Sequence, residues 1–371
     1  MNTISLIRNF YSERAKMINY EIFEIINISA FVVGLMFGAI GQKTQFCFSG
    51  SIKDYLLTSS TKRASSVVMA MIIAIGLSGF VSSYYGLDFT TSAYFRSNIN
   101  YVAIIFGGIL FGIGMMISDG CSSRHLIKSA QGDTHSFVTL LFIAIFAYGT
   151  TKGILSGLFL PIVNNQSLLA LSQLVPNFQI NIYLLLGILV VLLLFLLGGK
   201  IARITKLYDG MIIGSLVALM WYLTGVIGSE SMERTIPFGS LAFVYPTATS
   251  LDIFMNYQLV ELKHGAILVV GVFVGAFLMS WVNPKYSFGC TSNIKGSKLK
   301  YRMLGGALMG TGGVLALGCT VGQGLSGLSS LAFSSFLAIV SILTSGYLTA
   351  LVLKKYEKLP MCFIFEWDDG K

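Results

Sequence analysis

Charge is what this chain has least of. Only 11% of its 371 residues are charged, against about 25% in an ordinary globular protein, so a soluble domain could not be solvated. Histidine is almost as sparse: His125, His135 and His264 are scattered without ligand spacing, and no metal or cofactor is expected. The five cysteines include no CxxC pair and no His/Cys cluster, which excludes a disulfide scaffold and a zinc site. The first 26 residues lack the apolar core of a cleavable secretory signal; they mix Arg8, Arg14 and Lys16 with Glu13, Glu21 and Glu24 and read as an amphipathic lead-in.

What is there is apolar. Hydrophobic residues make up 54% of the chain, and runs such as Tyr183 to Leu197 and Met211 to Ile227 recur along its length. The bilayer is therefore the solvent. Candidate spans fall near 27–42, 65–86, 101–118, 136–156, 182–198, 208–228, 265–282, 303–318 and 328–353, which predicts an all-α polytopic membrane protein of about nine helices. The stretches ending at Gly41, Gly120 and Gly318 stop short of a full crossing, each at a glycine. Short in-membrane helices are expected there, with backbone breaks at those three glycines. Broken helices at membrane depth are tolerated only beside protein or a polar cavity, so they point to a site.

Sliding the sequence on itself aligns GGILFGIGMMISDGC (Gly107 to Cys121) without gaps on GGALMGTGGVLALGC (Gly305 to Cys319). Six of the matches are glycine or cysteine, which apolar bias does not produce. The third and eighth spans carry them, so an odd number of crossings separates the copies and the repeat is expected to be inverted, as in many transporters. Gly108, Gly112, Gly306 and Gly310 have the small-xxx-small spacing of close helix packing.

Loop charge gives an orientation. With nine crossings, the odd-numbered loops and the C-terminal tail carry 18 Lys/Arg against 6 on the opposite side, so the C-terminus is expected in the cytoplasm. The formal charge of +9 is then a property of cytoplasmic loops and lipid contact, not of nucleic-acid binding. The organisation read from these features is a lead-in (1–26), a first membrane repeat (27–157), a connecting segment with one span (158–207), a second, inverted repeat (208–356) and a cytoplasmic tail (357–371).

Three cysteines fall at the broken helices: Cys47, Cys121 and Cys319. An isolated membrane cysteine is a small hydrophobe, but three of five at glycine-rich breaks suit a substrate whose exposed atom is sulfur, since thiols are polarizable, weak S–H donors. Lys43, Arg124 and Lys128 lie close in sequence and would supply a positively charged vestibule for an anion; Lys128 fits an ordinary topology signal equally well. Asp119 either pairs with Arg124 or faces water. Cys290 reads as a loop-proximal thiol and Cys362 as a terminal one.

GAIGQKTQFCFSGSIKDYL (Gly38 to Leu56), GILFGIGMMISDGCSSRHLIKSAQGD (Gly108 to Asp133) and GGALMGTGGVLALGCTVGQGLSGLSSLA (Gly305 to Ala332) resemble the YeeE/YedE family of bacterial membrane proteins, as do ALMWYLTG (Ala218 to Gly225) and the stretch from Pro237 to Asp252. The resemblance implies an hourglass-shaped protein of the bacterial inner membrane that takes up thiosulfate or a related sulfur anion, with Cys47, Cys121 and Cys319 handing the ion along. The region from Pro284 to Lys300 departs from the family pattern. A selenium-containing substrate fits the same motifs. A different class is an intramembrane persulfide-transfer protein feeding a cytosolic TusA-like sulfur carrier.

Overall fold

The computed structural model describes residues 3–95, 99–163, 177–231, 236–255, 264–283, 298–360 and 367, without the side chains of 3–21, 160, 162, 163, 201, 252, 254, 255 and 298. The described residues form α1 (Thr3–Thr44), α2 (Phe48–Thr58), α3 (Lys62–Tyr85), α4 (Tyr101–Ile117), α5 (Ser122–Ala130), α6 (Thr134–Thr151) and α7 (Ile154–Val163). After these come α8 (Ile182–Leu197), α9 (Tyr208–Tyr222), α10 (Val244–Met255), α11 (His264–Val282), α12 (Lys298–Leu315), a π-helical segment Gly322–Gly327 and α13 (Phe333–Lys355). Among the described residues the one departure from helix and loop is an isolated bridge between Gln179 and Ala332. In hydrocarbon a helix satisfies its own backbone, which is why an apolar chain of this kind becomes helices throughout.

Among the described residues seven helices are long and apolar enough to cross a membrane. Two more of the nine expected spans differ from that standard for visible reasons. α8 has 16 residues, and α12 opens with Lys298, Lys300 and Arg302. The lead-in is not separate from the first span: nothing from Thr3 to Val33 is glycine or proline, and α1 runs through both without interruption.

Glycines set how the helices lie together. A Cβ on Gly107 would meet Gly312 O at 2.7 Å, and one on Gly114 would meet Gly305 O at 2.7 Å. α4 and α12 therefore run antiparallel, backbone against backbone, as small residues allow. Gly306 and Gly310 press on Thr139 to Ala147 of α6 in a parallel sense, and Gly108 and Gly112 press on Ala338 to Gly346 of α13 likewise. Gly34 and Gly38 meet Leu268 to Ala276 of α11, and Gly210 and Gly214 meet Ser66 to Ala74 of α3, both parallel. The extensive pairings are thus α1 with α11, α3 with α9, α4 with α13 and α6 with α12, around the α4–α12 contact. α8 stays at the periphery, where Tyr183, Val191 and Phe195 remain exposed.

Candidate functional site

Each of the three sequence-predicted cysteines begins a short helix immediately after a longer one has stopped. Cys47 is the N-cap of α2 and Cys121 the N-cap of α5. Cys319 opens the helical stretch that contains the π segment, its carbonyl accepting from Gln323 N at 2.7 Å. Two residues before each cysteine the backbone turns left-handed, at Gln45 (φ 59°), Asp119 (φ 68°) and Leu317 (φ 57°). In the two aligned copies the turn closes in the same way. Gly120 N donates to Met115 O at 3.0 Å and Gly318 N to Gly313 O at 2.8 Å, the six-residue closure that satisfies orphan carbonyls at a helix end.

The breaks expected at Gly120 and Gly318 fall where α4 and α12 have stopped, whereas the one expected at Gly41 does not occur there. Gly120 and Gly318 follow the left-handed residue and are not in that region themselves. A Cβ on Gly120 would fall 3.2 Å from Arg124 Cγ, and one on Gly318 3.2 Å from Gln323 Cγ, so these glycines make room for the side chain that folds back over the helix end. Gly41 lies inside α1, where a Cβ would stand 2.6 Å from Ile127 Cδ1; it lets α5 approach α1.

All three thiols are buried. Those of Cys47 and Cys121 lie side by side, close enough to interact directly. Cys47 Sγ accepts from Gly50 N at 3.4 Å and sits 3.1 Å from Ser49 Oγ. Cys319 Sγ makes the matching contact with Gly322 N at 3.3 Å. Cys121 is 3.3 Å from Ser123 Oγ and gives α5 no side-chain cap. The residue after each repeat cysteine, Ser122 and Thr320, carries a buried hydroxyl with no hydrogen-bond partner, and Thr320 lies close to the Cys121 thiol. Nearby, Arg124 donates from Nη2 to Gln45 Oε1 while its Nη1 has no partner. Buried polar groups are normally paired. Unpaired hydroxyls and a guanidinium N–H beside helix N-termini form a ready site for an anion.

The cations are arranged differently from the open vestibule expected of them. Lys43 is exposed in the last turn of α1 and is not brought to the thiols. Arg124 and Lys128 are buried. Asp119 is buried and forms ion pairs with Lys53 at 2.7 Å, Lys128 at 2.8 Å and Arg302 at 3.8 Å. Lys53, Arg302 and the buried pair of Arg63 with Asp54 are site residues that sequence reasoning passed over, because a lysine or arginine in a short loop reads as an orientation signal. Their one sequence signal is position, since each lies in the same set of basic loops. Lys53 Nζ also donates to Pro360 O at 3.0 Å in the tail, while Trp367 donates to Thr61 Oγ1 at 3.0 Å and receives Arg203 over its ring. Residues of the first, third, fifth and seventh loops and of the tail therefore meet on one face.

Among the described residues, the hydrogen-bond partners around Cys319 are uncharged. Tyr94 OH donates to Gly322 O at 2.9 Å, and Trp221 Nε1 to Ser329 Oγ at 2.8 Å. Phe89, Phe238 and Tyr94 pack around Trp221 with ring centroids 4.7 to 6.2 Å apart. Burial pushes the Tyr94 phenol far above its ordinary pKa, so it stays a neutral donor. Cys290 and Cys362 lie outside the described residues.

The family of membrane proteins described as sulphur transport matches this chain twice, over residues 43–207 and 200–348. The thiosulfate transporter TsuA of Spirochaeta thermophila is 25% identical over 339 residues, covering 87% of this chain and 97% of that protein. The thiosulfate transporter TsuA of Escherichia coli K12 is 23% identical over 341 residues, 84% of this chain and 90% of that one. A probable transporter of the same bacterium, YedE, is 26% identical over 109 residues, 29% of this chain and 25% of its own.

Proposed function

This chain belongs to the sulphur-transport (YeeE/YedE) family of multi-pass membrane transporters, and from that premise we propose that it imports thiosulfate, or a closely related sulfur dianion, past Cys47, Cys121 and Cys319. The observation that carries the reading is the set of buried donors at the thiols, Ser122 Oγ and Arg124 Nη1 without a partner and Thr320 Oγ1 against the Cys121 thiol. An anion crossing the membrane loses its hydration and needs replacement donors at every stage. Hydroxyls, a guanidinium and helix N-terminal N–H groups can solvate its oxygens, and S–H groups can meet its terminal sulfur. Because the donors bind without covalent capture, the ion can leave again.

The layout supports nine crossings with an inverted repeat. The parallel pairs α1–α11, α3–α9, α4–α13 and α6–α12 and the antiparallel pair α4–α12 are the directions alternate crossings require if α8 and α12 also span. The repeat partners of Gly107 and Gly114 are Gly305 and Gly312, and each faces the other's equivalent, as a two-fold axis in the membrane plane demands. The basic loops and the tail meet on one face, which supports a cytoplasmic C-terminus in the inner membrane. The ion then enters on the neutral Cys319 side and departs on the basic side.

The test is uptake by liposomes holding the purified protein, with thiosulfate labelled separately at its two sulfurs. Import of both labels in equal amounts supports transport. Entry of the outer sulfur alone, with sulfite left outside, would overturn it in favour of persulfide transfer to a cytosolic TusA-like carrier. A preference for a selenium-containing analogue would reassign the substrate while keeping the transporter.

A further inference from the structure

Asp119 occupies an unusual place. Its carboxylate is the shared partner of Lys53, Lys128 and Arg302, and Lys128 also donates to the backbone carbonyl of Asp119 at 2.9 Å. It sits on the left-handed turn two residues before Cys121. In the second copy the equivalent position is Leu317, with the same backbone and no charge. The turn therefore does not need an aspartate. Three buried cations from three separated segments of the chain do need an anion, because a buried charge left without a partner is strongly destabilising.

We propose that Asp119 is a resident stand-in for the transported anion, and that Lys53, Lys128 and Arg302 form a second anion station on the basic side of Cys121. This rests on the transport reading above. When the station is empty of substrate, the carboxylate holds the three cations in place. An arriving dianion competes with it for the same N–H donors, and Arg302 Nη1, buried and without a partner, is the donor already open to it. When the dianion leaves, Asp119 returns. The station cannot hold its cargo tightly, since a competing carboxylate is tethered beside it at high effective concentration. The built-in competitor turns a cluster that would trap a dianion into one that releases it. The station recognises charge and oxygen, not sulfur, so it accepts sulfate as readily as thiosulfate; selection belongs to the thiols.

The experiment measures equilibrium binding of radiolabelled thiosulfate and of sulfate to purified wild-type and Asp119→Asn protein, together with thiosulfate uptake in liposomes. Asp119→Asn is expected to bind both dianions about tenfold more tightly and to turn over about tenfold more slowly. Folding is checked by the thermal midpoint and by gel filtration. Should Asp119→Asn not fold, Arg302→Gln, which leaves the Lys53 and Lys128 pairs intact, is expected to weaken sulfate binding several-fold. Folded Asp119→Asn protein that binds both anions no more tightly than wild type, or Arg302→Gln protein with unchanged sulfate binding, overturns the proposal. Absence of uptake by the wild type would instead overturn the transport reading, so the two failures are told apart.

Discussion

The two copies of the broken-helix motif share a left-handed turn before cysteine and carry opposite chemistry. They part in backbone after the cysteine, the first continuing as an α-helix and the second through the π segment. At an offset of 198 residues, Asp119, Arg124, His125 and Lys128 of the first correspond to Leu317, Gly322, Gln323 and Ser326 of the second. Both end a helix on a left-handed residue, both begin the next at cysteine, and both leave the following hydroxyl unpaired. His125 Nε2 reaches Ser118 Oγ at 3.2 Å, and Gln323 Nε2 reaches the carbonyl of the equivalent Ala316 at 2.6 Å. In both segments the turn sets a helix N-terminus beside a buried thiol. Divergence confined the charge to one copy. An anion on such a path meets a neutral, aromatic-lined stage and a cationic stage in succession, so the field along the path is one-sided.

The largest effect is expected from the thiols themselves. A hydrogen bond to a charged group is worth about 1.5–3 kcal/mol, so Cys121→Ala should slow thiosulfate uptake roughly ten- to a hundredfold, and Cys47→Ala, beside it, should do the same. Cys319→Ala should match them if the neutral copy carries a real stage of the path. Uptake rates in liposomes normalised to inserted protein give the comparison. Full uptake in Cys319→Ala with loss in Cys121→Ala would mean that only the charged copy handles the ion.

Next comes Arg124→Ala, expected to lower uptake about tenfold, the scale of one charge-assisted hydrogen bond. Because Arg124 is buried, the deficit should be nearly the same at low and at high ionic strength, since buried charges are screened much less than exposed ones. Lys43, exposed at the end of α1, should give a small effect that salt removes, or none. A deficit in Arg124→Ala that disappears in high salt would return Arg124 to an open vestibule.

What the sequence made legible divides along the same line as the two copies. Cys121, Cys319 and the glycine pattern could be read directly, because glycine and cysteine matches stand out against an apolar background, and Cys47 could be read from its place just after a short apolar stretch. The small-xxx-small glycines could be read as packing for the same reason. The turns could not. Left-handed backbone is associated with glycine, which points to Gly41, Gly120 and Gly318, whereas the left-handed residues are Gln45, Asp119 and Leu317. Their common spacing before cysteine was available, but three different side chains share no chemistry that marks it. The buried cations were hidden by a parallel difficulty. Lys53 and Arg302 are far apart in sequence and have no partner until the fold carries them both to Asp119.

A smaller effect, on stability, separates scaffold from site. Gly305 lies where α4 and α12 touch, and a Cβ there would fall 2.6 Å from Ser118 Cβ and 2.8 Å from Gly114 O. Neither helix backbone can yield cheaply. Gly305→Ala should cost about 1–3 kcal/mol, read as a lowered thermal midpoint in detergent, with lower uptake following from less folded protein. An unchanged midpoint would show that α4 and α12 can separate, and the two-fold contact would no longer be what holds the copies in register.

The smallest effect is expected at Gly322, the position equivalent to Arg124. A Cβ there would stand 3.7 Å from Cys319 Sγ and 3.7 Å from Ala242 Cβ, ordinary contact distances. Gly322 is helical, so Gly322→Ala should raise stability slightly, by about 0.5–1 kcal/mol through the backbone entropy glycine otherwise loses, and uptake should change less than about twofold. Gly324, by contrast, would bring a Cβ to 3.0 Å from Phe48 Cε1 and from Ile339 Cδ1, so only a shift of those side chains could accommodate alanine. The thermal midpoints and uptake rates of the two variants decide what the missing side chain at 322 means. If Gly322→Ala behaves as expected, neutrality at this position is a matter of charge alone, and the second copy differs from the first because nothing there attracts the ion. If Gly322→Ala stays folded but loses uptake, the space beside Cys319 is itself occupied by the ion in transit. The two copies would then differ in room as well as in charge.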